Sequence, residues 1–298
     1  MNRIILLTRQ ITRWSLLAFV LVLASTPVNA ENQYRQGLLW EITPASGEPS
    51  YLFGTIHSED PRVTQLPAPV KHKFDQAAIF CAEMKMDMGT QTRMSLGMMY
   101  LDGQSLDEKI DQELFNKTVS LITLYDIPEQ LAPNLKPWAA GLLLSVPKPE
   151  TGMFLDFMLY NNAKKQGKQL CGLETPAEII ELFDNTPMKT QINLLKVAVR
   201  EHDNLGKMFE EMMQYYLARD LDGLLAYSDR ELEKSGKDVS ALVNDKLVAK
   251  RNRNMLANMQ PQIKKGNAFF AVGTLHLPGD NGLLKMLADK GYRLKAIY

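Results

Sequence analysis

Six short apolar runs, each bounded by polar or turn-forming residues, predict strands near the two ends of the chain. The first two runs are joined by a turn rich in Gly, Pro and Ser at residues 44–49, which is typical of a hairpin. The runs lie at residues 38–42, 51–53, 78–82, 169–173, 268–272 and 292–298.

Between these runs, from about residue 100 to residue 262, apolar positions recur at helical spacing. Ser105 and Glu108 match a capping box, and five prolines between residues 128 and 149 divide this region into short helices. Methionines at residues 208–213 indicate core packing or, alternatively, a groove for an apolar substrate. The sequence therefore predicts an α/β fold, with a central mixed sheet built from N- and C-terminal strands and a large helical middle region packed over it.

The first 30 residues have the order of a secretory signal peptide. Three arginines precede an apolar run at residues 14–24, and small residues follow at 28–30. An uncleaved membrane anchor is the alternative, but this run is shorter than the roughly 20 residues that span a bilayer. We therefore predict cleavage near Ala30, a single domain at residues 31–298 with its helical cover at about 100–262, and a periplasmic or secreted location.

The charge of the chain excludes nucleic acid as a partner. The sequence has 34 basic and 34 acidic residues, and the only charged residues lost with the first 30 are three arginines. A nucleic-acid-binding surface needs a basic patch, which this even mixture of charges does not provide. After the first 30 residues no apolar run approaches about 18 residues, so we expect no membrane span in the mature chain.

The chain has two cysteines, Cys81 and Cys171, each at the end of an apolar run and two or three residues before a glutamate. This shared setting allows them to lie close together, and an oxidising compartment would permit a disulfide. Two buried free thiols are the alternative. Apolar surroundings raise the pKa of a thiol, which argues against cysteine catalysis.

One motif occurs twice, as Gly-Thr-Ile-His at residues 54–57 and as Gly-Thr-Leu-His at residues 273–276. In each copy the glycine directly follows an apolar strand, where it permits a tight turn and a close approach of the backbone. Ligands of open α/β sheets bind outside the strand ends, so we expect His57 and His276 to meet in one site. A structural role for each histidine is the alternative.

Two carboxylates hold the same kind of position, because Glu83 and Glu174 each follow a predicted strand. Imidazoles and carboxylates are ligands of divalent transition metals, so His57, His276, Glu83 and Glu174 form a predicted metal site. A bound metal lowers the pKa of its water, and a glutamate that stays off the metal is a candidate general base. These residues predict metal-assisted hydrolysis.

At these residues the sequence resembles the TraB/GumN family, which includes the TIKI-type proteases. The matching segments keep their order over nearly all of residues 36–298. One position departs from the family pattern, since Glu178 is followed by Ile179 where the family commonly has Gln. The resemblance is carried by residues 51–57, Glu83, 136–138, 152–175, 251–252 and 271–279.

The resemblance implies a fold related to erythromycin-esterase-like and ChaN-like proteins, and peptide-bond hydrolysis that depends on a divalent metal such as Mn, Co or Zn. It implies His57 and His276 as metal ligands and Glu83 as a ligand or the general base. Glu174 is then a ligand or a carboxylate that orients a histidine. Arg251, which spacing alone leaves as a surface charge on a helix, stabilises an oxyanion or pairs with a site carboxylate.

We therefore expect an exported metal-dependent hydrolase, a peptidase with a peptide or protein substrate. A periplasmic haem- or metal-binding protein is one alternative, which the ChaN-like relatives suggest; the sequence has no Cys-x-x-Cys-His for covalent haem. A non-catalytic protein that sequesters a peptide is the other alternative, and the intact His and Glu set argues against it.

Overall fold

Among residues 34–298, which the computed structural model describes, six strands form one sheet. The strands are β1 (Leu39–Thr43), β2 (Ser50–Thr55), β3 (Ile79–Ala82), β4 (Gln169–Gly172), β5 (Ala268–Gly273) and β6 (Arg293–Ala296). Their order across the sheet is β4-β3-β5-β2-β1-β6. Strand β5, from the C-terminal part of the chain, therefore lies between two strands from the N-terminal part.

The four neighbouring strands β4, β3, β5 and β2 run parallel, whereas β1 runs antiparallel to β2 and to β6. The sheet is mixed and built from both ends of the chain, so the predicted α/β architecture is confirmed. Because parallel strands end at the same edge of a sheet, the carboxyl ends of four strands meet there.

Helices supply most of the chain between β3 and β5, as the apolar spacing predicted. A π-helix, Leu242–Lys250, leads directly into the last long helix. The α-helices are α1 (Pro61–Thr64), α2 (Ala68–Gln76), α3 (Met88–Gly97), α4 (Gln112–Thr123), α5 (Pro137–Leu143), α6 (Leu155–Lys165), α7 (Pro176–Asp184), α8 (Met188–Glu201), α9 (Leu205–Ala218), α10 (Leu221–Lys234), α11 (Lys237–Ala241), α12 (Arg251–Lys265) and α13 (Leu283–Asp289).

The central strands are covered on both faces. Every residue of β2 and of β3 is buried, and so are five of the six residues of β5. Phe74 of α2 packs edge-on against Phe80 of β3 and Phe269 of β5, with ring centroids 5.7 and 5.5 Å apart. Burial on both faces explains why these strands are continuous apolar runs instead of alternating ones.

The predicted capping box at Ser105 is wrong. Residues Leu106–Glu108 form a single 3-10 turn, and the Ser105 hydroxyl bonds to the Asp107 carboxylate instead of capping the backbone. A capping box does begin α7, where Thr175 and Glu178 each cap the other's backbone N–H. Sequence spacing alone did not distinguish the two sites.

The predicted signal peptide, residues 1–30, lies outside the described residues. Residues Tyr34–Tyr298 form one compact unit. In that part of the chain no helix is both long and apolar enough to cross a membrane.

A disulfide joins Cys81 of β3 to Cys171 of β4, so the first of the two alternatives for the cysteines is the observed one. The register of this parallel pair sets the two residues opposite each other, with their Cα atoms 4.5 Å apart. The bond links segments 90 residues apart in sequence. It lies just before the strand ends from which Glu83 and Glu174 emerge.

Candidate active site at the edge of the sheet

The two Gly-Thr-X-His motifs lie side by side, because they end the adjacent parallel strands β2 and β5. Thr55 is paired with Gly273 in the register, and the Thr274 hydroxyl donates a 2.7 Å hydrogen bond to the Thr55 carbonyl. A Cβ atom on Gly54 would lie 2.9 Å from the Thr274 hydroxyl oxygen. Glycine is therefore needed here for the close approach of the two motifs.

Glu83 and Glu174 leave the neighbouring strands at the same edge. Glu83 directly follows β3, and Glu174 comes two residues after the end of β4. The Glu174 backbone N–H donates a 2.7 Å hydrogen bond to the Glu83 carbonyl, which continues the pairing of the strands past their ends. The backbone thus fixes the spacing between the two carboxylates.

Arg251 bridges both carboxylates. Its Nε lies 3.0 Å from each carboxylate oxygen of Glu174, and its Nη2 donates to Glu174 at 2.6 Å and to Glu83 at 2.5 Å. The Arg251 side chain is 17% exposed and that of Glu174 is 2% exposed. Arg251 is the first residue of α12, directly after the π-helix, and π-helical turns often occur at functional sites.

The second oxygen of Glu83 faces β5. Glu83 Oε1 accepts a 2.6 Å hydrogen bond from the Gly273 backbone N–H and lies 3.8 Å from His276 Nε2. A Cβ atom on Gly273 would come within 3.2 Å of the same oxygen. The glycine of the second motif therefore keeps the space beside this carboxylate open.

His276 is buried, and Asn252 determines which of its ring nitrogens carries the proton. The Asn252 amide nitrogen donates to the backbone carbonyls of His276 and Asn281, at 3.2 and 2.6 Å, so the amide oxygen faces the imidazole. That oxygen lies 2.7 Å from His276 Nδ1 and can only accept. Nδ1 therefore carries the hydrogen, and Nε2 of the neutral ring is left with a free lone pair beside Glu83.

The charges of this network follow from its contacts. Burial raises the pKa of Glu83, but Arg251, His276 and the Gly273 N–H together outweigh burial and hold this pKa at about 2. Burial lowers the pKa of His276 to about 4, against the opposing effect of Glu83. At neutral pH, Glu83 is therefore ionised and the His276 imidazole is neutral.

The other two members of the network differ from Glu83. Burial raises the pKa of Glu174, and the nearby charge of Glu83 adds to this effect, while Arg251 opposes it. Burial lowers the pKa of Arg251, but Glu83 and Glu174 more than compensate, so its pKa lies above the ordinary value. Arg251 therefore stays charged and offsets one of the two carboxylate charges.

His57 has a different set of contacts. Its Nδ1 lies 3.2 Å from Asp156 Oδ2, and its ring packs on Phe154 with the centroids 3.8 Å apart. The side chain is 56% exposed and lines a cavity of about 570 Å³ at the end of β2. Apolar or aromatic parts of this cavity come from Tyr125, Leu143, Val146, Phe154 and Phe209.

A divalent metal fits part of this site. His276 Nε2 and Glu83 Oε1 are two suitable donor atoms 3.8 Å apart, a separation compatible with ligation of one ion at about 2.1 Å from each. Among residues 34–298, however, no group of three or more His, Cys, Asp or Glu side chains is placed to hold a metal. His57, at the end of the adjacent strand, would have to supply the third donor.

The structure thus brings together four of the five predicted site residues: Glu83, Glu174, Arg251 and His276. Arg251 takes the second of its expected roles, because it pairs with the site carboxylates. In the contacts described above, the partner of His57 is Asp156 and not one of these four residues. The metal-ligand role of the histidines and glutamates stays a prediction.

Two residues with a clear place in the site were not assigned one from the sequence. Asn252 follows Arg251 directly, and Asp156 lies in the first turn of α6. The available signal for Asn252 was the Arg-Asn pair at residues 251–252, which is part of the family resemblance. Asp156 lies in a segment that carries the family resemblance, but its partner His57 is about 100 residues away in sequence, so the pattern alone gave it no role.

The methionine stretch contributes to core packing, and a groove for an apolar substrate stays a prediction. Met213 is buried in the main core, whereas Met208 and Met212 line an apolar cavity of about 250 Å³ between α8, α9 and α10. Phe209 lines both this cavity and the one beside His57.

Comparison with known proteins agrees with the resemblance seen in the motifs. The TraB/PrgY/gumN family matches residues 38–296, so the chain belongs to this family. Among curated proteins it is similar to Metalloprotease TIKI1 of Danio rerio, with 21% identity over 91% of this chain and 64% of the relative. Metalloprotease TIKI2 of Danio rerio is 19% identical over 86% of this chain and 60% of the relative.

The chain thus spans less than two thirds of the length of these curated relatives. A search among solved structures finds no match.

Proposed function

We propose that this protein is a metal-dependent hydrolase that cleaves peptide bonds. One observation carries the proposal: a neutral, buried histidine presents a free Nε2 lone pair 3.8 Å from the ionised carboxylate of Glu83. A neutral imidazole whose other nitrogen is hydrogen-bonded is the form in which histidine ligates metals. The similarity to two proteins named metalloproteases supports the choice of reaction.

In this proposal the divalent ion, when bound, supplies a water molecule of lowered pKa for attack on a carbonyl carbon. His276 and Glu83 would hold the ion, with His57 as the third donor. Arg251 keeps Glu83 ionised and directs one of its oxygens away from the imidazole. Glu174, whose side chain is almost fully covered, orients Arg251 and has no direct part in the reaction.

We further propose that the substrate is a peptide or protein segment with a bulky apolar side chain near the bond that is cleaved. The cavity beside His57, about 570 Å³ in volume, is large enough for such a side chain, and its aromatic and aliphatic lining would bury that side chain. The substrate class is also the one named for the relatives, since a protease acts on protein.

Export is a separate part of the proposal. The pattern of residues 1–30 and the disulfide between Cys81 and Cys171 both support an oxidising location such as the periplasm. N-terminal sequencing of the protein from the fraction outside the cytoplasm should give Glu31 as the first residue. A first residue of Met1 in that fraction would contradict cleavage.

The metal site is tested by the metal content of purified protein. The wild type should hold about one divalent transition-metal ion per chain, and the double variant His57→Gln with His276→Gln should lose it. His72→Gln is the matched control, because His72 is exposed on α2 and should leave the metal content unchanged. Equal metal content in the double variant and the control would refute the site.

Activity is tested on a peptide library with the same three proteins. Cleavage by the wild type and by the control should appear with Mn, Co or Zn and disappear with a chelator. If a peptide binds but is not cleaved in the presence of Mn, Co or Zn, the protein is not a hydrolase and a sequestering protein is favoured.

A further inference from the structure

Asp156 is a buried carboxylate that the reaction proposed above does not use. It is 9% exposed, and its Oδ1 accepts a 2.5 Å hydrogen bond from the hydroxyl of Thr55, two residues before His57. Its Oδ2 has no hydrogen bond from any of the residues that the structure describes. A buried carboxylate oxygen without a donor is costly, so a donor is expected beside it.

His57 is placed to be that donor. Its Nδ1 lies 3.2 Å from Asp156 Oδ2, and a carboxylate oxygen can only accept a hydrogen. The backbone holds the two residues near each other, because the Leu155 N–H donates a 3.0 Å hydrogen bond to the Ser58 carbonyl. Asp156 also lies in the first turn of α6, where the helix dipole favours a negative charge.

A matching arrangement exists at the other motif. There Asn252, in the first turn of α12, directs its amide oxygen to His276 Nδ1 at 2.7 Å. Each histidine of the repeated motif therefore has an oxygen acceptor beside Nδ1, delivered by the first turn of a helix. At His276 this acceptor leaves Nε2 as the nitrogen without a proton.

We propose that Asp156 is the positioning residue of His57, and that it fixes the imidazole with the hydrogen on Nδ1 and the lone pair on Nε2. The consequence for metal binding rests on the proposed function, since it matters only if His57 is a ligand. The pairing of Asp156 with His57 itself rests on the contacts alone.

The pairing is tested by long-range proton–nitrogen NMR spectra of metal-free protein labelled with ¹⁵N, at about pH 8, where free imidazole is neutral. The signals of His57 are assigned by their absence in His57→Gln. Wild-type His57 should carry its proton on Nδ1. A proton on Nε2 would overturn the proposal, and this measurement needs no variant of Asp156.

Two variants separate positioning from a purely structural role. Asp156→Leu removes the acceptor, and His57 should lose its preference for the Nδ1 proton. Asp156→Asn should restore the preference, because its amide oxygen can serve His57 as that of Asn252 serves His276, while its NH₂ donates to Thr55. An unchanged tautomer in Asp156→Leu would refute the proposal.

Thr55→Val is the matched control. It removes the other hydrogen bond of Asp156, and so tests whether a loss of protein stability is enough to change the His57 tautomer. Thr55→Val should leave the His57 tautomer unchanged even if it lowers the melting temperature. Loss of the tautomer in this variant as well would assign Asp156 a structural role only.

Metal affinity then distinguishes this proposal from the proposed function. If both hold, Asp156→Leu should bind the metal about 10- to 100-fold more weakly than wild type, and Asp156→Asn should recover most of the affinity. Absence of metal from the wild type would refute the proposed function, while the NMR result still decides the role of Asp156.

Discussion

Arg251 separates two carboxylates that would otherwise repel each other in a largely buried place. Its guanidinium contacts both Glu83 and Glu174, and burial of an unpaired charge is far more costly than burial of a neutralised one. The residue therefore contributes to stability as well as to the site.

Replacement of Arg251 should strongly destabilise the protein. Arg251→Ala leaves two carboxylates without their shared partner, and we expect a loss of about 3 kcal/mol in the free energy of unfolding. Chemical denaturation followed by circular dichroism measures this loss. Arg253→Ala is the control, because Arg253 is an exposed neighbour on α12 and its removal should change the free energy by less than about 0.5 kcal/mol. Equal effects of the two changes would contradict the bridge.

The buried His276 should make the metal-free protein sensitive to mild acid. Its pKa is about 4 in the folded protein against 6.5 ordinarily, so the unfolded chain binds a proton in the range between these values and the folded protein does not. The stability is therefore full above about pH 6.5 and falls as the pH approaches 4, by about 3 kcal/mol. Glu83 affects the stability only at lower pH. Its pKa is held at about 2, so its contribution to stability is lost as the pH falls below about 4.5.

Denaturation of chelator-treated protein between about pH 7 and about pH 4 measures this slope. His276→Gln, which cannot be protonated, should be less stable at pH 7 but should show a shallower decline. A slope identical to that of the wild type would mean that His276 is protonated in the folded protein.

Single residues show where sequence reasoning reached its limit. Glu83, Glu174 and His276 were found because a polar residue after an apolar run of strand length is a local pattern. Arg251 looks like any charged residue of a surface helix, and only the family resemblance singled it out. Asp156 and Asn252 act through contacts that join segments far apart or that depend on a helix start, so composition and spacing could not assign them a role.

At the scale of elements, the strands were predictable and some helices were not. Buried strands are continuous apolar runs, so their positions were read to within one or two residues. Helix α3 was missed because none of its residues is buried and its pattern has no apolar face. The π-helix before Arg251 depends on one extra residue per turn, which no apolar period in this segment reveals.

The disulfide is the element-level feature with the largest expected effect on stability. It closes a loop of 90 residues, for which the chain-entropy treatment gives about 4 to 5 kcal/mol. The double variant Cys81→Ala with Cys171→Ala should unfold at a correspondingly lower denaturant concentration. Reductant should lower the midpoint of the wild type and leave that of the double variant unchanged. If the wild-type midpoint stays unchanged after both cysteines have been fully reduced, this contribution is contradicted.

At the scale of the whole molecule, the general arrangement followed from one rule about parallel strands. Their carboxyl ends share an edge, and four of the five predicted residues lie together there. The rule does not set the direction of each side chain after its strand ends. His57 comes two residues after β2 and contacts α6, whereas His276 follows β5 through a 3-10 turn and contacts Glu83.

The central position of β5 also determines when the sheet can be completed during synthesis. Strands β2 and β3 leave the ribosome early but have no direct pairing with each other, since β5 lies between them. Almost all of the helical segment must therefore be made before the sheet can form. The sheet pairs residues that are far apart in sequence, and proteins with such a high contact order fold slowly. His276 and the glycine that contacts Glu83 arrive with that same strand. A nascent chain thus cannot assemble the candidate site until residues 268–276 have emerged, so synthesis itself delays the moment at which the site first exists.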